Sequence, residues 1–200
     1  MVAGGLVGRV VLLALLSLAV SAPAGTAESS RKEKHPVVRM KTSMGEIEIE
    51  LYPDKAPKTV ENFLRYVREG FYDGTIFHRV VPNFVVQGGG YDAEMHRKPT
   101  HGAIPNEADN GLGNEKGTIA MARTSDPHSA TSQFFINTKD NPFLDHKDKT
   151  PQGWGYTVFG RVVKGMDVVE KIGKVPTTRR AGMADVPVEP VVIEKVELVQ

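Results

Sequence analysis

Phe77 to Gly90 reads FHRVVPNFVVQGGG. Valines and phenylalanines dominate it, so the backbone on either side of Pro82 and Asn83 is expected to run as strands packed on a core. Arg79 stands inside this apolar run. A buried guanidinium without a partner is costly, so this position needs a reason.

The rest of the chain says what kind of molecule surrounds that stretch. Its 200 residues are 40% hydrophobic and 24% charged, a balance that suits one globular domain with its own core. The first 27 residues stand apart: one charge, Arg9, then the apolar run Val10 to Val20 (VVLLALLSLAV), then SAPAGTA before the polar ESSRKEK. That is the pattern of a secretory signal peptide, with cleavage expected after Ala27. The apolar run is shorter than the roughly 18 to 20 residues a bilayer span requires, so no membrane association is expected after cleavage. Residues 28–36 read as a linker and 37–200 as the folded domain.

Arg9 is one of 25 basic residues, which leaves 24 against 24 acidic ones in the mature chain. Zero net charge argues against capture of nucleic acid. The absence of cysteine excludes disulfides, thiolate metal sites and cysteine nucleophiles.

Periodicity supplies the elements. VVRMKTSMGEIEIELY reads as two strands around a turn at Ser43 to Gly45, and Glu46 to Leu51 alternates strictly between charged and apolar. In APKTVENFLRYVREG, Val60, Phe63, Leu64 and Val67 fall at helical spacing, with Pro57 to open the helix and Gly70 to end it. Further strands are expected at Thr75 to Val80, Phe84 to Gln87, Gly117 to Ala122, Gln133 to Asn137, Tyr156 to Val163 and Val191 to Val199. A second helix follows Gly165, with Val168, Val169 and Ile172 on one side. The count is about eight strands and two helices, with long loops at 91–116, 139–155 and 174–189. Many short antiparallel strands suggest a barrel or a sandwich.

Several candidate sites fall away on inspection. The six histidines lack zinc-site spacing, so no metal is expected. Gly88 to Gly90 is followed by neither GKS/T nor a helix, and reads as a tight bend after a strand. Ser129, Ser132 and His128 lack a nucleophile elbow and a third member. Two features remain: FHRVVPNFVVQGGG itself, and MARTSDPHSATSQFFI (Met121 to Ile136), in which two apolar pieces flank a small polar loop.

Together with NPFLDH (Asn141 to His146) and YTVFGRVVKGMDVVEKI (Tyr156 to Ile172), these segments resemble the cyclophilins, the cyclosporin-binding peptidyl-prolyl cis-trans isomerases. The resemblance runs from about Val37 to the C-terminus and is nearest to exported bacterial members, which carry a signal peptide and a GYAVFG-like sequence, here GYTVFG from Gly155. It implies a mainly β fold, a closed eight-stranded antiparallel β-barrel capped by two α-helices. It also implies isomerisation of X-Pro bonds during the folding of exported proteins, without cofactor or covalent intermediate, by a monomer in the bacterial periplasm. A second reading of the same features is a module that captures proline-containing segments.

The resemblance also assigns residues. Arg79 becomes the donor to the twisted prolyl amide, and Gln87 orients it. Phe84, Val85, Phe135 and Leu144 form the proline pocket, Ala122 and Arg123 offer backbone to the residue before proline, and Gln133 completes the wall. Phe143 stands where many eukaryotic members have tryptophan and Tyr156 where they have histidine. Loss of the indole N–H at Phe143 implies weak cyclosporin binding. The segment HKDKTPQGWG, with Trp154, reads as a surface loop next to the pocket.

Overall fold

The structure, a computed structural model, describes residues 1–5 and 35–199. The chain divides into two units, Met1–Glu33 and Lys34–Gln200. Residues 1–5 hold no helix or strand; the signal peptide beyond them, and residues 28–34 of the linker, lie outside the described residues. No described helix is long and apolar enough to cross a membrane.

The second unit begins with β1 (Val37–Thr42), β2 (Gly45–Leu51), α1 (Pro57–Arg68), β3 (Thr75–Ile76), β4 (Arg79–Val81) and β5 (Val85–Gly88). There follow β6 (Thr118–Met121), β7 (Phe134–Asn137), β8 (Val158–Lys164), α2 (Met166–Ile172), β9 (Thr177–Arg180), β10 (Met183–Pro187) and β11 (Val192–Leu198). Nine strands form one antiparallel sheet in the order β3-β11-β1-β2-β8-β6-β7-β5-β4, and β9 and β10 form a separate hairpin. The alternation in β2 holds: Ile47, Ile49 and Leu51 are fully buried, while Glu46, Glu48 and Glu50 take the other face.

The expected single strand over Thr75 to Val80 is broken in two. Ile76 pairs with Val192 of β11 and Phe77 N–H donates to Val191 O, whereas Arg79 to Val81 pair with Gln87 to Val85 of β5. A straight strand cannot serve both partners, so the chain bends at Phe77 and His78. The two edges of the sheet are therefore joined covalently through two residues, and with β3 and β4 counted as one bent strand the barrel has eight.

A second correction concerns 174–189, expected as a loop. It contains the β9–β10 hairpin, which sequence periodicity misses because three of the four β9 residues are exposed. Its anchor is tertiary: Val186 and Met183 pack with Ile76, Met95 and Val192 in a small apolar cluster.

The main core is aromatic. The Phe63 ring lies 5.1 Å from Tyr72, 5.8 Å from Phe134 and 5.2 Å from Phe159. Helix α1 delivers Val60, Phe63, Leu64 and Val67 to it from its apolar face, as their spacing requires. Pro57 occupies the first turn, where its missing N–H is no loss. The N–H groups of Lys58 and Thr59 instead donate to the Glu107 carboxylate, at 3.1 and 2.9 Å, so a residue 49 positions away caps the helix. Helix α2 buries Val168, Val169 and Ile172 beside β2.

His78, at the bend, is 3% exposed, and its Nδ1 has no hydrogen-bond partner among the described residues. Burial, and secondarily the neighbouring Arg79 charge, lower its pKa from the ordinary 6.5 to about 4. The folded state thus binds its proton less readily than the unfolded chain. The associated stability is complete above about pH 6.5 and is lost as pH falls through about 4, a loss of up to about 3 kcal/mol. Urea unfolding of the domain and of His78→Gln at pH 7.5, 5.5 and 4 checks this. The difference between the two proteins should shrink as pH falls, and a pH-independent difference excludes the assignment.

Candidate active site

Arg79 is the first residue after the bend. In register it faces Gln87 on β5, and its Nη1 donates to Gln87 Oε1 at 3.3 Å. Gln87 Nε2 in turn donates to Gln133 Oε1 at 3.1 Å, so guanidinium and two amides form one line. Glycines make room for it. Gly89 has φ +79, and a Cβ there would meet the Phe134 and Tyr72 rings at 2.8 and 2.9 Å. At Gly90 a Cβ would lie 2.6 Å from Gln133 Cγ, so any larger residue displaces the second amide. The Gly88 to Gly90 run is thus the tight bend that the sequence suggested.

Beside Arg79 lies an apolar pocket. Val85, Ala120, Phe135 and Val158 are its buried floor, and Phe84, Leu112, Ala122, Leu144 and Tyr156 are half-buried against them. The turn between β4 and β5 places Phe84: Asn83 takes φ +54, and Phe84 N–H donates back to Val81 O at 3.1 Å. The Arg79 Cζ stands 6.0 Å from the centre of the Phe84 ring. Phe143 stacks on the outer side of Phe84 at 5.6 Å and is 59% exposed, which makes it rim rather than floor. Phe135 and Tyr156 meet edge to face at 5.6 Å.

Arg123 enters differently from Arg79. Its Nε, Nη1 and Nη2 donate to the carbonyls of Gly155, Thr124 and Pro151, and its Cζ lies 4.7 Å above the Tyr156 ring. The side chain is thereby committed to clamping the 146–155 loop and bracing Tyr156. Within that loop His146 Nδ1 bonds Trp154 O, and Trp154 meets the His128 and His146 rings, while Trp154 Nε1 is buried without a partner among the described residues. Next to Arg123 a groove of about 110 Å³ runs past Ala122, Gln87 and Gln133.

A buried set of asparagines supports the pocket, and sequence reasoning did not single it out. Asn141 Nδ2 donates to Phe84 O and Asn137 Oδ1, Asn137 Nδ2 to Asn114 Oδ1 and Thr118 Oγ1, and Asn114 to Asp145 Oδ1. The network ties the turn bearing Phe84 to the segment bearing Phe143 and Leu144. Low-dielectric surroundings strengthen such bonds, while Asn141 Oδ1 is buried without a partner among the described residues. Periodicity gives no signal for it, because asparagine in a polar loop also reads as a turn residue.

The residues set aside earlier stay apart from this site. Ser132 is buried and donates to Gly89 O, Ser129 bonds Asp126 O, and neither hydroxyl reaches His128. Asp92, Glu94 and His96 bring their ligand atoms within 4.8 Å, but Asp92 already accepts from both backbone N–H groups and the His96 ring. A cavity of about 340 Å³ lined by His35, Tyr52 and Arg161 shares Leu112 and Val158 with the apolar pocket, yet Arg161 is paired with Glu115 and His35 with Asp54.

Comparison with known proteins identifies what this arrangement belongs to. A family model described as cyclophilin type peptidyl-prolyl cis-trans isomerase/CLD matches residues 37–198. The chain is 61% identical over 161 residues to a peptidyl-prolyl cis-trans isomerase, cyp18, of Streptomyces antibioticus, covering 80% of this chain and 97% of that one. It is 56% identical to peptidyl-prolyl cis-trans isomerase B of Escherichia coli strain K12, covering 80% and 98%. Against peptidyl-prolyl cis-trans isomerase A of Dickeya dadantii it is 49% identical over 189 residues, covering 94% and 95%. In fold it resembles a crystallised cyclophilin type isomerase of Cryptosporidium parvum, solved also in the presence of the dipeptide Ala-Pro, with TM-score 0.68 at 24% identity; the first of those structures covers 83% of this chain and 98% of that one. A model matched over most of the chain and relatives this similar establish that the protein is a member of the cyclophilin-type peptidyl-prolyl cis-trans isomerase family.

Proposed function

We propose that this isomerase grips proline in the pocket of Phe84, Val85, Phe135 and Leu144 and acts on its amide through Arg79. The observation that carries the reading is a guanidinium held by Gln87 at the lip of a pocket that is otherwise apolar. Rotation about X-Pro meets a barrier of about 18 to 20 kcal/mol because twisting removes amide resonance. The twisted nitrogen becomes pyramidal and regains a lone pair, so a fixed cationic donor binds it better than the planar amide. Only that difference accelerates exchange. No bond is made or broken on the protein, and no cofactor or metal enters the scheme.

The remaining residues hold the substrate still. Ala122 and Arg123 offer backbone to the residue before proline, Gln133 and Tyr156 form the side walls, and Phe143 covers the outer rim. A rate gain of about 10⁵ needs roughly 7 kcal/mol, whereas one charge-assisted hydrogen bond contributes about 1.5 to 3. The pocket therefore supplies most of the effect through preorganisation. Exchange of a short X-Pro peptide, followed by NMR on the protein from Glu28 onward, tests this. Arg79→Ala should slow catalysed exchange by about 10- to 150-fold while peptide binding changes far less. Binding without catalysed exchange in either protein would point to capture, and undiminished exchange in the variant removes Arg79 from the mechanism.

The clients we infer are exported polypeptides, met in a bacterial periplasm by a monomer freed of its signal peptide. In support, the relative from Dickeya aligns with 94% of this chain, more than the 37–198 region fills. Mass spectrometry of the mature protein should find Glu28 at its N-terminus; an intact Met1 in the cytosolic fraction contradicts export.

Cyclosporin binding is expected to be weak, since Phe143 offers the rim a ring without an N–H donor. Phe143→Trp should tighten it by up to about tenfold, the equivalent of one hydrogen bond, and an unchanged dissociation constant counts against the explanation.

A further inference from the structure

The hairpin that the sequence did not reveal brings a carboxylate to Arg79. In its ladder Met183 pairs with Arg180 and Val186 with Thr178, so Ala184 and Asp185 together face Arg179 alone. This is a β-bulge, a device that re-aims a side chain. Asp185 adopts φ +60, in the left-handed region that aspartate enters more readily than most residues but still against strain. Packing holds it there: Val186, the next residue, is 1% exposed and seals the hairpin onto Ile76 and Met95. The result is Asp185 Oδ2 at 3.9 Å from Arg79 Nε. Gln87 holds the same guanidinium at Nη1.

Strain that persists beside a site is a reason to ask what it accomplishes there. We propose that Asp185 is a positioning residue for Arg79, fixing the Nε side of the guanidinium so that its remaining N–H groups stay turned to the apolar pocket. This rests on the assignment of Arg79 made above. Both side chains are partly exposed, 39% and 42%, so solvent weakens the pair and the effect on rate is modest.

The test is Asp185→Asn, which keeps the shape and tolerates the same φ while removing the charge. At about 0.01 M salt its kcat/KM for an X-Pro peptide should be about two- to fivefold below that of the unaltered protein, mostly in kcat. Raising salt to about 1 M, where the screening length falls to ~3 Å, should bring the two proteins together. The Arg79 Nε–H resonance should shift in the variant, and the melting temperature should stay within a few degrees. Asp185→Gly, which relieves the strain, should lose the same activity without losing stability. In an Arg79→Ala background Asp185→Asn should have no further effect, which ties its action to that side chain. Equal kcat/KM in the variant at low salt, or a loss that persists in the Arg79→Ala background, overturns the proposal. If Arg79→Ala itself retains full activity, the assignment of Arg79 fails and the proposal falls with it; if Arg79→Ala is impaired while Asp185→Asn is not, only the role of Asp185 falls.

Discussion

A sheet of antiparallel strands has two edges, and in this protein both edges belong to one stretch of chain. Thr75 and Ile76 pair on one side, Arg79 to Val81 on the other, and only Phe77 and His78 lie between. Closure in this way leaves no long free edge for another chain to extend. Both linking side chains are buried at the bend, and His78 Nδ1 has no partner among the described residues. The same bend sets the direction of the next residue. Arg79 emerges at the start of a new strand, facing Gln87, instead of continuing the line of Ile76.

What surrounds that arginine is a division of labour between apolar surface and fixed polar groups. Phe84, Val85, Phe135 and Leu144 share one apolar cluster, and burial is non-directional. Orientation comes from elsewhere: from the line of Arg79, Gln87 and Gln133, and from the buried asparagines that lock the Phe84 turn to the Leu144 segment. Arg123, by contrast, spends its donors on three backbone carbonyls and serves the wall. Two arginines in one site thus have separate work, and the difference lies in what each is bonded to.

Much of this is legible in the amino-acid sequence. The alternation in Glu46 to Leu51 and the helical spacing of Val60 to Val67 specify their elements because burial on one face imposes period 2 or period 3.6 on the residues themselves. The side chains expected in the site are gathered in one place. What escaped was long-range. Glu107 caps α1 across 49 positions, the asparagine network joins five separate loops and strands, and the hairpin at 177–187 has hardly any apolar face of its own.

The sequence by itself therefore determined the helices, the strands with a buried face of their own and the motifs that mark the family, since each is written in residue types at short spacing. Tertiary structure alone decided where one strand breaks in two, which arginine is tied to backbone carbonyls and which carboxylate stands beside the other. The physical reason is common to all three. Closure, capping and ion pairing are relations between groups far apart in the chain, and a residue's local pattern carries no record of the partner that folding will bring to it.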